Sequence, residues 1–168
     1  MPTFHVRGCF RIPTVIPKLG GQKVDKSKLS AFWADTNGLD KDHGCYIFSM
    51  SRKGGEKPWY VGKASSTTFS VECFSLHKLG IFNDILSEVT GIPYLTFLTP
   101  AKTKGKTPML AIDEVEEYLI GNAASRNAEL ANKRRLPNQK WSIANVTQAT
   151  KGAPPTTVVD FKKLMGMY

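Results

Sequence analysis

Two tyrosines, Tyr46 and Tyr60, stand on two short runs of β-branched and aromatic residues, at 44–48 and 59–62. The turn between the runs is basic and contains glycines and a proline, which end any continuing element, so the segment predicts a β-hairpin. Alternation along the strands puts Tyr46 and Phe48 on one face, and we expect Tyr60 to lie beside Tyr46. A phenol with a pKa of about 10 is a poor base unless a neighbouring cation lowers that pKa.

Glu116 stands in the apolar stripe of a helix that the sequence predicts from about Pro108 onward. Ile112 and Ile120 flank it at intervals of four residues, whereas Asp113 is expected to face elsewhere. A carboxylate in such a stripe loses its hydration, and burying an unpaired charge is costly, so we expect a metal ion or a basic partner. A purely structural salt bridge explains the same position, and both interpretations stay open.

Composition is that of an ordinary globular protein with an excess of positive charge. The 168 residues are 41% hydrophobic and 22% charged, with a formal net charge of +9. This charge favours a polyanionic partner such as nucleic acid, although a basic protein without such a role stays possible. The cysteines, three in number, are widely spaced and form no Cys-x-x-Cys pair, which argues against a disulfide framework or a zinc site.

No apolar run approaches the roughly 18 residues that a membrane-spanning helix needs. The first residues also lack the charged and then apolar pattern of a signal peptide. We therefore expect a cytoplasmic protein.

The remaining pattern predicts an α+β fold. A third strand is expected at 94–98 and a helix at about 76–89, and residues 1–18 suit an edge strand or an extended arm. With the hairpin, these elements predict a central three-stranded antiparallel β-sheet flanked by helices. We treat residues 1–168 as one domain, with an N-terminal extension at 1–43 and a C-terminal extension at 139–168.

Two tripeptides and a later acidic stretch follow one another along the chain. They read Gly44-Cys45-Tyr46, Tyr60-Val61-Gly62 and Glu116-Glu117-Tyr118-Leu119-Ile120. This order resembles the GIY-YIG nucleases, in which a Glu-x-x-Leu-Ile pattern carries a single metal-binding glutamate. The resemblance covers roughly residues 44–138, which form the expected catalytic core.

The resemblance implies a function, a cofactor and a partner. It implies a metal-dependent DNA endonuclease that hydrolyses phosphodiester bonds, with Glu116 as the ligand of one Mg²⁺ or Mn²⁺ ion. Double-stranded DNA is the implied substrate. Tyr46 would activate or position the attacking water, and Tyr60 would orient the water or the phosphate. Lys63 would contact a phosphate, and Asn132 would brace the catalytic loop, with Asn138 as the reserve choice.

The chain departs from the family pattern on its first long helix. GIY-YIG nucleases usually carry an arginine there, but no arginine occurs between Arg52 and Arg126. We expect Lys78, helped by His77, to hold the non-bridging phosphate oxygens instead, because an ammonium binds phosphate as a point charge.

Two basic clusters are expected to contact a nucleic-acid backbone, although a solvated turn explains the first of them equally well. They comprise Lys102, Lys104 and Lys106, and Lys133, Arg134 and Arg135.

Two other functions stay open at this point. One is a nucleic-acid-binding protein of the same fold with weak or lost cleavage, suggested by the missing arginine. The other is a basic adaptor or RNA-binding domain in which the two tyrosines stack on bases.

Overall fold

The hairpin organises the central sheet of the protein. The computed structural model describes residues 1–101, 107–132, 141–147 and 151–167. Its strands are β1 (Thr3–Arg11), β2 (Thr14–Val15), β3 (Lys23–Val24), β4 (Gly44–Arg52), β5 (Gly55–Ala64), β6 (Ile92–Pro100) and β7 (Ser142–Ile143). Its α-helices are α1 (Leu29–Asp35), α2 (Phe69–Glu72), α3 (Leu76–Glu88), α4 (Met109–Arg126) and α5 (Thr156–Met165), with 3-10 helices at Lys26–Lys28 and Leu39–Lys41.

The predicted hairpin is confirmed, but its predicted register is wrong. Strands β4 and β5 are antiparallel, with Tyr46 opposite Gly62 and Phe48 opposite Tyr60. The two tyrosines are therefore diagonal neighbours on one face, with ring centroids 6.2 Å apart. The register also shifts between Phe48 and Ser49, an irregularity that sequence alternation does not reveal.

The class is α+β, as predicted, but the described sheet has five strands rather than three. Its order is β5-β4-β6-β1-β7, so β5 is an edge strand. Strand β1 pairs antiparallel with β6, and β7 pairs parallel with β1. Residues assigned to an N-terminal extension therefore contribute a full strand, because the prolines at Pro2 and Pro13 lie outside β1 and leave its nine residues free to pair.

Helices cover both faces of this sheet. Buried residues of α4 and α5 pack with Cys45, Ile47 and Val61 on one face. Buried residues of α1, α2 and α3 pack with the Tyr46 and Tyr60 rings on the other face. We call these the α4 face and the α3 face of the sheet.

Helix α4 carries the predicted apolar stripe. Its 18 residues include a buried row formed by Ala111, Ile112, Val115, Leu119, Ile120 and Ala123. Glu116 lies in this row with 8% exposure, which confirms its predicted burial. None of the helices in the described part of the chain is both long and apolar enough to cross a membrane.

Candidate active site

A cleft of about 570 Å³ opens at the edge strand β5. Six of the seven residues predicted for catalysis line it: Tyr60, Lys63, His77, Lys78, Glu116 and Asn132. The seventh, Tyr46, does not line it. The rest of the lining is Ser65, Ser66, Thr67, Glu72, Ile81 and Ala131.

The cleft spans both faces of the sheet at its edge. Tyr60 belongs to the core on the α3 face, whereas Glu116 projects from α4 on the opposite face. Because no described strand pairs with β5 on that edge of the sheet, side chains from the two faces reach one opening. The two tyrosine rings therefore lie on one face of the sheet, and Glu116 comes from the opposite face. Of the two tyrosines, only Tyr60 lines the cleft together with Glu116.

On the α4 face, Lys63 lies between two carboxylates. Its Nζ is 3.0 Å from Oδ1 of Asp113 and 3.0 Å from Oε2 of Glu116. Partial burial alone would lower the pKa of Lys63, but the contacts with Glu116 and Asp113 outweigh that effect and raise the pKa. Lys63 thus keeps its positive charge, and it is the basic partner that the buried position of Glu116 required.

On the α3 face, Lys78 donates a hydrogen bond from Nζ to the phenol oxygen of Tyr60 at 2.6 Å. The same ammonium is 3.4 Å from Oε1 of Glu72. Partial burial acts to lower the pKa of Lys78, whereas the hydrogen bond to Tyr60 and the nearby Glu72 raise it, and the net shift is upward. The cleft therefore presents one held ammonium from each face.

Tyr46 lies beneath the cleft rather than in it. The side chain is fully buried, and its hydroxyl has no hydrogen-bond partner in the described part of the structure. Burial raises its pKa well above the ordinary tyrosine value, helped by Cys73 and Tyr60, so the phenol keeps its proton. A buried ring cannot stack on a base, and Tyr60 is only 6% exposed, so the base-stacking alternative loses its structural basis.

Gly62 allows the two tyrosine rings to approach the strand. A Cβ atom there would lie 2.5 Å from the hydroxyl of Tyr46 and 2.8 Å from a ring carbon of Tyr60. The glycine of the second tripeptide is therefore required by close ring packing.

Asn132 pairs with the outer edge of β5. Its amide nitrogen donates to the carbonyl of Val61 at 2.6 Å, and its amide oxygen accepts from the Val61 N–H at 3.2 Å. The backbone of Ala131 also donates to the carbonyl of Trp59 at 3.0 Å. These bonds occupy backbone groups that an edge strand leaves unpaired, and they brace the strand that carries Tyr60 and Lys63.

The basic clusters cannot be placed against the cleft. Lys102, Lys104 and Lys106 lie outside the described residues, as do Lys133, Arg134 and Arg135, and so does the reserve asparagine, Asn138.

The donor groups near Glu116 suit a hard divalent cation. No group of three or more His, Cys, Asp and Glu side chains gathers in a metal-binding arrangement within the described ranges. Asp113 and Glu116 do place two carboxylates around one cation, and of the two only Glu116 lines the open cleft. Mg²⁺ is commonly held by one or two carboxylates together with waters and substrate phosphate, so this pair fits Mg²⁺ or Mn²⁺.

Two residues that pair with the lysines of the cleft escaped the sequence analysis. Asp113 was expected to face away from Glu116, but both contact Lys63. Asp113 stands three residues before Glu116, and side chains at that spacing are neighbours on a helix surface. This spacing could have predicted that the two carboxylates lie close together. Glu72 gave no signal, because its contact with Lys78 depends on how α2 and α3 are arranged.

No protein-family model, curated protein or solved structure matches this chain.

Proposed function

We propose that this chain is a divalent-metal-dependent endonuclease that hydrolyses phosphodiester bonds in double-stranded DNA. One observation carries the proposal. Residues from distant parts of the chain, among them Tyr60, Lys78, Glu116 and Asn132, line one open cleft. The formal net charge of +9 adds a general attraction for a polyanion.

Glu116 is the residue that would hold the metal, with Mg²⁺ or Mn²⁺ as the ion. When bound, the ion supplies electrostatic stabilisation of the phosphate and lowers the pKa of water. The hydrolysis forms a bond from water oxygen to phosphorus and breaks one bridging P–O bond, whose oxygen takes up a proton. Glu116 contributes position and charge to this reaction.

Lys78 and Tyr60 would bind the phosphate from the α3 face. The Lys78 ammonium donates one hydrogen to Tyr60 and pairs with Glu72, which leaves one further hydrogen for a non-bridging phosphate oxygen. The phenol of Tyr60 accepts from Lys78, which leaves its own O–H free to donate to a water or a phosphate oxygen. Held donors of this kind stabilise charge that grows in the transition state.

Tyr46 would act through position. Because its phenol is buried and keeps its proton, positioning fits it better than accepting a proton from water. Its ring packs against Gly62 and lies next to the ring of Tyr60. Tyr46 would therefore help to hold the Tyr60 ring in its position at the cleft.

Incubation of the purified protein with supercoiled plasmid tests this function. Nicked and linear products are expected with Mg²⁺ or Mn²⁺ and none with an excess of chelator, and mapping of the product ends identifies which P–O bond is broken. Intact plasmid under all metal conditions would overturn the proposal.

One observation favours the second candidate, a DNA-binding protein of the same fold with weak or lost cleavage. The sequence has no arginine between Arg52 and Arg126, so Lys78 would have to take the place of the arginine that is usual in GIY-YIG nucleases. This candidate predicts salt-sensitive DNA binding in the same plasmid experiment without any cleavage.

A further inference from the structure

Lys63 and Glu116, which line the cleft, form a small ionic cluster with Asp113. Asp113 Oδ1 and Glu116 Oε2 are both inaccessible to solvent, and both lie 3.0 Å from the Lys63 ammonium. Neither oxygen receives any other hydrogen bond from the described residues. The two oxygens therefore point at one position, and Lys63 fills it.

The charges of this cluster do not balance. One ammonium contributes +1 and two carboxylates contribute −2, so the cluster keeps one excess negative charge. A divalent ion at the same position would neutralise both carboxylates. Carboxylate oxygens are also the ligands that Mg²⁺ and Mn²⁺ prefer.

Lys63 is only partly buried in this position. Its side chain is 32% exposed and that of Asp113 is 45% exposed, so the cluster opens to solvent on one side. A lysine ammonium is a compact charge on a flexible stem, whereas an arginine would grip both carboxylates through a planar fork.

We propose that Asp113 and Glu116 together form the divalent-cation site, and that Lys63 occupies this site as a competing internal cation until the metal displaces it. The inference rests on the proposed nuclease function, and it adds Asp113 as a second metal ligand. The displaced ammonium remains on β5 at the cleft wall, where it can contact a DNA phosphate. The arrangement keeps the two carboxylates paired when no metal is bound, which avoids the cost of leaving them uncompensated.

Mn²⁺ binding to the full chain without DNA tests the competition, with free Mn²⁺ measured by electron paramagnetic resonance. Lys63→Met should raise the Mn²⁺ affinity by about fivefold or more, because the competitor is gone. Lys63→Arg should lower it. Asp113→Asn and Glu116→Gln should each weaken binding by about tenfold or more.

Lys78→Met is the matched control, because it removes one positive charge from the same cleft. Its effect on Mn²⁺ affinity should stay clearly below that of Lys63→Met. Equal effects of the two lysine variants would overturn the competition, since a general change of charge would then explain both. Circular dichroism and thermal melting of each variant establish that the compared proteins are folded.

The outcomes separate this inference from the proposed function. Loss of Mn²⁺ binding in Glu116→Gln with unchanged binding in Asp113→Asn would overturn the two-ligand site and leave the nuclease proposal standing. Unchanged Mn²⁺ binding in both variants would overturn the metal site itself, and with it both proposals.

Discussion

The ammonium of Lys78, on helix α3, donates a hydrogen bond of 2.6 Å to the phenol oxygen of Tyr60. Under the proposed function, Lys78 would take the role of the arginine that GIY-YIG nucleases usually have in this part of the chain. The pair lies on the α3 face of the cleft, and the pair of Lys63 and Glu116 lies on the α4 face. Together they define the sides between which a phosphate would bind.

Lys78 is predicted to contribute to cleavage through its positive charge rather than through the particular geometry of its side chain. Lys78→Met should reduce the cleavage rate by about 100-fold, the typical cost of removing one donor to transition-state charge. Lys78→Arg should retain activity within about tenfold, because the charge remains. Lys163→Met removes an exposed charge from α5, outside the cleft lining, and should change the rate little. Equal losses in Lys78→Met and Lys163→Met would contradict a specific role for Lys78.

Gly62 is predicted to be intolerant of a methyl group. Gly62→Ala would drive a Cβ atom into the rings of Tyr46 and Tyr60, and we expect it to lower the free energy of unfolding by about 1–3 kcal/mol. Urea denaturation measures this change. Gly54→Ala is the control, since no atom lies within 4 Å of its added Cβ, and it should be neutral within about 0.5 kcal/mol. Similar values for the two variants would contradict the packing described for the hairpin.

Asn132 is predicted to stabilise the edge strand. Asn132→Ala removes two hydrogen bonds to Val61 and should lower the free energy of unfolding by about 1–2 kcal/mol. Asn122→Ala removes one hydrogen bond to the carbonyl of Tyr118 within α4. Alanine favours the helix, so that control should be near neutral. Equal unfolding midpoints for Asn132→Ala and Asn122→Ala would argue against a stabilising role of Asn132 at the edge of β5.

Tyr46 is predicted to make the protein sensitive to alkali. Burial raises the pKa of Tyr46, so above about pH 10 the unfolded chain releases a proton that the folded protein keeps. The free energy of unfolding therefore falls as the pH rises through that range. The raised pKa values of Lys63 and Lys78 act in the same direction, because their contribution is complete below the unfolded lysine pKa and is lost above it.

Tyr46→Phe isolates the tyrosine part of this effect. At pH 8 the variant should differ from wild type by less than about 1 kcal/mol, because the hydroxyl has no partner in the described structure. Its alkaline loss of stability should be smaller than that of wild type, as measured by urea denaturation across the pH range. An identical alkaline loss in the two proteins would show that Tyr46 ionises as freely when folded as when unfolded.

Local patterns predicted several elements because those patterns are set by neighbours in sequence. The hairpin, the helix at α3 and the buried position of Glu116 all follow from alternation, turn residues and helical spacing. The pairing of β1 with β6 was missed, since strand pairing over a long separation leaves no local trace. The register between Tyr46 and Tyr60 was wrong because it depends on the turn, which places Arg52 opposite Gly55, and on a strand irregularity near Phe48 that shifts the pairing by one residue.

The site was predicted in part for the same reason. Tyr60, Lys63 and Glu116 came from short motifs, and all three line the cleft. The burial of Tyr46 and the contact of Glu72 with Lys78 arise from the packing of helices against the sheet. Spacing along the chain does not determine that packing.

The proposed metal-dependent cleavage depends on one side chain, the carboxylate of Glu116. The isosteric variant Glu116→Gln therefore tests the proposed function most directly. Plasmid cleavage and DNA affinity should be measured side by side for wild type and Glu116→Gln in Mg²⁺. We predict that Glu116→Gln loses cleavage by about 1,000-fold or more while its DNA affinity stays within about threefold, because the carboxylate serves the metal rather than the DNA. Cleavage by Glu116→Gln at the wild-type rate would contradict the proposed nuclease.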